Sequence, residues 1–120
     1  MPLISIVDDD ESMREAMKCL MESLGFAAES FASAEEFLAS HSIDNTACLI
    51  VDMQMSGLSG LALYEHLIAS GKSIPTILIT AYPDERTRSR ALQCGVLCYL
   101  KKPFDESEVL ASIDSVIRPR

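Results

Sequence analysis

Residues 3–10 read LISIVDDD, an apolar run of strand length that ends abruptly in Asp8, Asp9 and Asp10. The run looks buried. Acids at its end carry a cost: at an effective dielectric near 20, two carboxylates about 5 Å apart repel by roughly 3 kcal/mol, a sizeable part of a small domain's stability. A chain that keeps three of them there needs something to offset that repulsion.

The same pattern recurs downstream. ACLIV (47–51), TILIT (76–80) and VLCYL (96–100) are further strand-length apolar runs, FAAESF (26–31) is a weaker one, and segments of helical period separate them. Met13, Met17, Leu20, Met21 and Leu24 mark the core face of a first helix, which Gly25 is placed to end. Ser33 with Glu36 predicts a capping box opening a second helix, and Asp105 with Glu108 a similar one for the last. Residues 60–70, and 84–94 before Gly95, supply the third and fourth helices. Five strand–helix units without linker, repeat or low-complexity tract imply a parallel α/β sheet covered by helices on both faces, joined by right-handed crossovers. The near-continuous apolar strands agree with burial on both sides.

Composition narrows the function classes. The 120 residues suit one compact domain, and 48% hydrophobic with 23% charged residues is the balance of a soluble globular protein. A formal charge of −8 offers no basic patch to displace counterions from phosphates, so no direct nucleic-acid contact is expected. No apolar run approaches the roughly 20 residues that span a bilayer, and the N-terminus lacks a basic start with a long apolar core. A cytoplasmic location without membrane contact is the expectation. Cys19, Cys48, Cys94 and Cys98 form no Cys-x-x-Cys pair and three fall in apolar segments, which predicts buried, reduced thiols rather than disulfides or zinc ligands.

In open α/β sheets, ligands bind beyond the carboxyl ends of the strands. Here Asp8, Asp9 and Asp10 follow the first strand, Asp52 ends the third, Thr80 the fourth, and Lys101-Lys102-Pro103 the fifth. Each has an ordinary explanation taken singly. An aspartate can simply cap a helix, as Asp10 is placed to do, a threonine can be a plain β-former, and a lysine a solvated surface group. Together they bring a nucleophile-capable carboxylate, neighbouring acids, a hydroxyl and a cation to one edge. That set suits phosphoryl transfer to a carboxylate, a reaction that needs geometry and charge neutralisation more than proton transfer. A hard divalent cation such as Mg²⁺ would bind the acids, while a lysine ammonium and a threonine hydroxyl would serve other phosphoryl oxygens.

VDDD, IVDMQMSGLSG, LITAYP and YLKKPF, in this order and at these spacings, resemble the receiver domain of bacterial two-component response regulators, and the resemblance covers essentially the whole chain, residues 1–120. It implies a flavodoxin-like doubly wound (βα)5 fold with five parallel strands in the order 2-1-3-4-5. It also implies that Asp52 is the phosphoacceptor, taking its phosphoryl group from a histidine kinase. Asp8, Asp9, Asp52 and the backbone carbonyl of Gln54 would hold Mg²⁺, or Mn²⁺ in its place, with Asp9 a direct ligand and Asp8 binding directly or through water. Thr80 matches the switch hydroxyl, with Ala81 leaving room for the phosphoryl group, and Tyr99 matches the aromatic whose inward or outward rotamer reports on it. Lys102 matches the functional lysine because it directly precedes Pro103, through a peptide expected to be cis, which leaves Lys101 to face solvent. Gln54 and Tyr82 match positions that tune dephosphorylation, and a bulky Tyr82 would shield the acyl phosphate from water. Asp10 has no required role and reads as the residue that opens the helix. His41 and His66 fall in helical segments away from the strand ends, so the donor histidine belongs to the partner kinase.

The implied function is a switch rather than an enzyme. Phosphorylation would change the face built from the fourth helix, fifth strand and fifth helix, and so its affinity for an output domain or downstream protein, with homodimerisation of the phosphorylated form a further expectation and transcriptional regulation the expected output. Without metal, one carboxylate of Asp8, Asp9 and Asp52 should have a raised pKa, and Mg²⁺ should stabilise the fold. FASAEEFL and KPFD resemble the FixJ-type branch, whose receivers usually precede a helix-turn-helix DNA-binding domain; nothing in these residues decides whether one follows VIRPR. One departure is Ser56 after Met55, where receivers commonly carry proline, which removes a φ restraint from the loop. An aspartyl phosphohydrolase of the haloacid dehalogenase type is similar in fold and Mg²⁺ use, but typically has a second aspartate where Gln54 stands and a cap insertion that is absent here. A phosphorylation-independent interaction module would have no reason to keep Asp8, Asp9, Asp52, Thr80 and Lys102 together.

Overall fold

Alternation of strand and helix runs through the computed structural model, which describes residues 2–117. The strands are β1 (Leu3–Val7), β2 (Ala27–Phe31), β3 (Thr46–Asp52), β4 (Thr76–Thr80) and β5 (Cys98–Lys101). Between and after them lie α1 (Glu11–Ser23), α2 (Ala34–Leu38), α3 (Gly60–Ala69), α4 (Glu85–Cys94) and α5 (Glu106–Ile117), with a 3-10 turn at His41–Asn45 leading into β3. All five strands pair in parallel, in the order β2-β1-β3-β4-β5. This is the doubly wound order expected from the resemblance.

Strand alternation sends successive side chains to opposite faces. Ile4, Ile6, Cys48, Ile50, Ile77 and Ile79 pack with Met17 and Met21 of α1 and Val109 and Ile113 of α5. On the other face, Val7, Leu49, Val51 and Leu78 pack with Phe37 of α2, Leu63 and Leu67 of α3 and Ala91 of α4. Each fully buried leucine or isoleucine contributes roughly 1.5–3 kcal/mol, so both layers are needed to hold a sheet whose interior strand β4 is buried at every residue.

Caps set the helix starts. Asp10 accepts the N–H groups of Ser12 (3.0 Å) and Met13 (3.4 Å), and so opens α1 as its position suggested. Ser33 accepts the Glu36 N–H at 3.1 Å, while the Glu36 carboxylate reaches back to the N–H of Ala32 rather than that of Ser33. The Asp105 carboxylate takes the N–H and hydroxyl of Ser107 at the start of α5.

Two sequence readings need correction. VLCYL (96–100) predicted a strand from Val96, but β5 starts at Cys98. Gly95 leaves α4 at a left-handed φ of 108°, and the Val96 N–H turns back to the Ala91 carbonyl at 3.2 Å, so Val96 is spent on the helix exit, while the Leu97 N–H reaches the Thr76 carbonyl at 2.8 Å just ahead of β5. The cysteines are all free, but not all buried. Cys48 is enclosed in the core, where burial pushes its thiol up to about 12. Cys98 is half-buried, whereas Cys19 and Cys94 are exposed. Cys19 sits two positions past Met17, about 200° round the helix from the core face, and α4, which Cys94 ends, buries only Ala91. Among the described residues, no helix is long and apolar enough to cross a membrane.

Candidate functional site

Five parallel strands deliver five carboxyl ends to one edge, and register decides which side chains meet there. Val7 pairs with Val51, so Asp8 stands beside Asp52 one step further on, both continuing the α1–α5 face. Thr80, following Leu78, continues the opposite face. Carboxylate oxygens of Asp8, Asp9 and Asp52 lie within 4.8 Å of one another. Asp8 and Asp52 are buried and Asp9 is exposed.

The repulsion posed by LISIVDDD is answered locally. Lys102 extends its ammonium to within 3.1 Å of Asp52 Oδ2 and 3.7 Å of Asp8 Oδ2. Its own N–H donates to the Thr80 carbonyl at 2.7 Å, and the Lys102–Pro103 peptide is cis, as expected. Lys101 is exposed. Each carboxylate also accepts a backbone N–H: Asp8 Oδ1 from Asp10 at 2.9 Å, Asp52 Oδ1 from Gln54 at 3.0 Å, and Asp9 Oδ2 from Ser56 at 3.3 Å. These contacts do not fully compensate Asp8. Burial raises its carboxyl above the ordinary value; the Asp10 N–H opposes this, Asp52 adds to it, Lys102 opposes it and Asp9 adds again.

Thr80 is fully buried, and its hydroxyl donates to Gln54 Oε1 at 2.8 Å while accepting the Tyr82 N–H at 3.0 Å. Tyr99 is half-buried against the α2–α3–α4 layer and pairs with Leu78, two residues behind the Thr80–Lys101 pair. The Tyr82 ring is 76% exposed. His41 and His66 are exposed, on the 3-10 turn and on α3. The edge thus brings together Asp8, Asp9, Asp52, Gln54, Thr80 and Lys102, and leaves the histidines out.

Three contacts escaped the sequence reading. Arg14 donates to the Asp8 carbonyl at 2.9 Å, from one turn into α1. The Ser56 amide on Asp9 had a signal in the missing proline, since only a non-proline residue has that N–H to give. The Gln54 side chain on Thr80 joins two strand ends far apart in sequence and had none. As a donor set, three clustered carboxylates with one exposed member fit a small hard divalent cation better than zinc or copper, which favour nitrogen or sulfur.

Residues 4–114 match the family model of the response regulator receiver domain. The chain belongs to that family. This receiver is 37% identical over 111 residues to the C4-dicarboxylate transport transcriptional regulatory protein DctD of Rhizobium meliloti, covering 92% of the chain and 24% of DctD. It is 33% identical over 110 residues to the transcriptional regulatory protein FixJ of Azorhizobium caulinodans, covering 92% and 52%. The response regulator protein TodT of Pseudomonas putida is 34% identical over 116 residues, with 97% and 51% covered. The receiver therefore spans about half, or less, of the length of these relatives. Among solved structures, the response regulator StyR superimposes with a TM-score of 0.89 at 38% identity, covering 98% of this chain and 59% of that one. FixJ-N superimposes with 0.86 at 28% identity, covering 100% and 96%. The receiver is thus a two-component response regulator domain related to transcriptional regulators.

Proposed function

We propose that this receiver is a phosphorylation-dependent switch whose acceptor is Asp52 and whose phosphoryl donor is a histidine kinase. The observation that carries this reading is the convergence of Asp52 with Asp8, Asp9 and the Lys102 ammonium on one strand edge, with the Thr80 hydroxyl on the adjoining strand end. A carboxylate oxygen of Asp52 attacks the phosphorus of the kinase's phosphohistidine. The P–O bond forms as the P–N bond breaks, the electron pair stays on the imidazole nitrogen, and the product is an acyl phosphate on Asp52. Mg²⁺, or Mn²⁺, held by Asp8, Asp9, Asp52 and the Gln54 carbonyl, would supply positive charge at the phosphoryl oxygens. Lys102 already touches Asp52 Oδ2 and is placed to follow the charge onto a phosphoryl oxygen. Burial of Asp8 and Asp52 leaves the attacking carboxylate poorly hydrated, so little solvent has to be stripped from it before it reacts.

The added charge then draws Thr80 toward the phosphoryl group, Tyr99 moves with it, and the α4-β5-α5 face changes its affinity for an output domain, a downstream protein or a second copy of the chain. Gln54 and Tyr82 set how long the acyl phosphate survives.

Incubating the protein with a small-molecule phosphodonor and Mg²⁺ should add one phosphoryl group by intact mass, and Asp52→Asn should remain unlabelled. Equal labelling of that variant would refute the assignment of the acceptor.

A further inference from the structure

The Thr80 hydroxyl has one proton, and in this structure that proton is spent on Gln54 Oε1 at 2.8 Å. One of its lone pairs takes the Tyr82 N–H at 3.0 Å. The hydroxyl therefore has nothing to donate to a phosphoryl oxygen until it lets go of Gln54. Gln54 is also tied to the acceptor, since its own N–H donates to Asp52 Oδ1 at 3.0 Å. One residue bridges the acceptor carboxylate and the hydroxyl that must respond to it.

The two ends of the Gln54–Thr80 bond differ in surroundings. Thr80 is fully buried, while Gln54 is exposed. Breaking the bond returns the glutamine amide to water, but leaves the hydroxyl proton in a dry site with no acceptor. Release is favourable only when another acceptor arrives, and a charged phosphoryl oxygen is a stronger one than a neutral amide.

We propose that Gln54 is a positioning residue for the switch: its side-chain carbonyl holds the Thr80 hydroxyl in the resting position and keeps the activated arrangement sparsely populated until Asp52 is modified. This rests on the reading of Asp52 as phosphoacceptor, and it is separate from any effect of Gln54 on hydrolysis. Removing the acceptor destabilises the resting state alone. Leaving that buried proton without an acceptor makes the shift in the switching equilibrium roughly five- to a hundredfold.

The test uses beryllofluoride with Mg²⁺, a phosphoryl mimic whose affinity does not depend on acyl phosphate hydrolysis. Gln54→Met, which keeps bulk and loses the acceptor, should bind it roughly five- to a hundredfold more tightly than wild type. In a Thr80→Ala background the same substitution should give no gain. Unchanged or weaker binding by Gln54→Met, or a gain that persists with Thr80→Ala, would overturn the proposal. If wild type failed to bind the mimic, the acceptor reading would fall instead, and a second measurement would still judge the latch. In the metal-free protein, Gln54→Met should shift the amide resonance of Tyr82 and the methyl resonance of Thr80. Both resonances staying in place would overturn the proposal without any phosphoryl mimic.

Discussion

Replacing Gly60 by alanine sets two effects of opposite sign against each other. Gly60 is the first residue of α3 and is not among the glycines with positive φ, so conformation alone permits alanine. Helix propensity alone would make the change stabilising by up to about 1 kcal/mol. A Cβ at this position, however, would stand 2.7 Å from the carbonyl oxygen of Asp52, 3.1 Å from its carbonyl carbon and 3.1 Å from Leu78 Cδ2. Carbon contacts are comfortable near 3.5–4.0 Å, so α3 must retreat from the end of β3 by roughly 0.5–1 Å. The Gly60 N–H also donates to the Met53 carbonyl at 3.3 Å, which ties α3 to the same strand end. Overpacking of this kind costs about 1–3 kcal/mol, more than propensity returns. We expect a net loss of about 1–2 kcal/mol in urea unfolding and a Tm lower by roughly 3–10 °C. Gly25→Ala is the control: at a φ of 94° with no atom within 4 Å of the added Cβ, it should lose about 1 kcal/mol through backbone strain without disturbing Asp52. Labelling of Asp52 should therefore slow in Gly60→Ala and not in Gly25→Ala. A Gly60→Ala protein as stable as wild type would refute the steric reasoning, whatever its activity.

Asp8 binds its proton more tightly in the folded than in the unfolded protein, so metal-free unfolding free energy should rise as pH falls from neutrality through its folded pKa toward 3.8. Asp84, lowered chiefly by the Thr87 hydroxyl, and Asp105, lowered chiefly by the Ser107 N–H, carry the opposite sign and act below 3.8, outside that window. Asp8→Asn should remove the rise and make the metal-free protein about 1–2 kcal/mol more stable at pH 7, since it removes the cost of burying a charge together with two repulsions and forfeits one attraction. It should also lose the Mg²⁺ stabilisation, which for wild type reaches about 2.7 kcal/mol at a hundredfold excess over Kd. Urea unfolding with chelator and with Mg²⁺ reads both effects, and an Asp8→Asn protein weaker than wild type at pH 7 would count against the account. Tyr82→Ala should shed its phosphoryl group several-fold faster once the donor is removed; equal lifetimes would rule out shielding by that ring.

Most of the fold was legible because its signals are local. The strand-length runs at 3–7 and 76–80 match β1 and β4 end for end, and Asp10 and Ser33 act at the helix starts where their positions placed them. The failures arose where an apolar residue had two uses. Val96 looks like strand, but the left-handed exit at Gly95 needs it first. Cys19 lies in an apolar segment yet on the wrong side of a helix, since composition carries no angle. The site edge was legible because parallel strands all end on the same side. Which donor answers which acceptor was not, because Lys102 meets Asp52, and Ser56 meets Asp9, across register rather than along the chain.

Those partner choices bear on how the proposed switch would be reversible. In the resting site each group that must act is already bonded, but to a partner it can surrender. Lys102 is bonded to Asp52, whose charge would move outward onto a phosphoryl group; Thr80 to a neutral amide that has water to return to; Asp9 to a loop N–H at an exposed position. A buried polar group left without a partner costs about 1–3 kcal/mol, so a site that had to break such bonds before forming others would be held shut by several of those penalties at once. Exchange avoids them, because for Lys102 and Thr80 an arriving oxygen replaces the acceptor as it is given up, and for Asp9 a cation would replace the N–H donor. The three acids of LISIVDDD illustrate the division: Asp10 serves the helix, Asp9 waits at the surface, and Asp8 alone of the three is buried, its carboxyl raised chiefly by that burial. On the proposed reading, a cation held among Asp8, Asp9 and Asp52 would offset the burial and like charge that raise the Asp8 carboxyl, so the site would gain from metal before any phosphoryl group arrives.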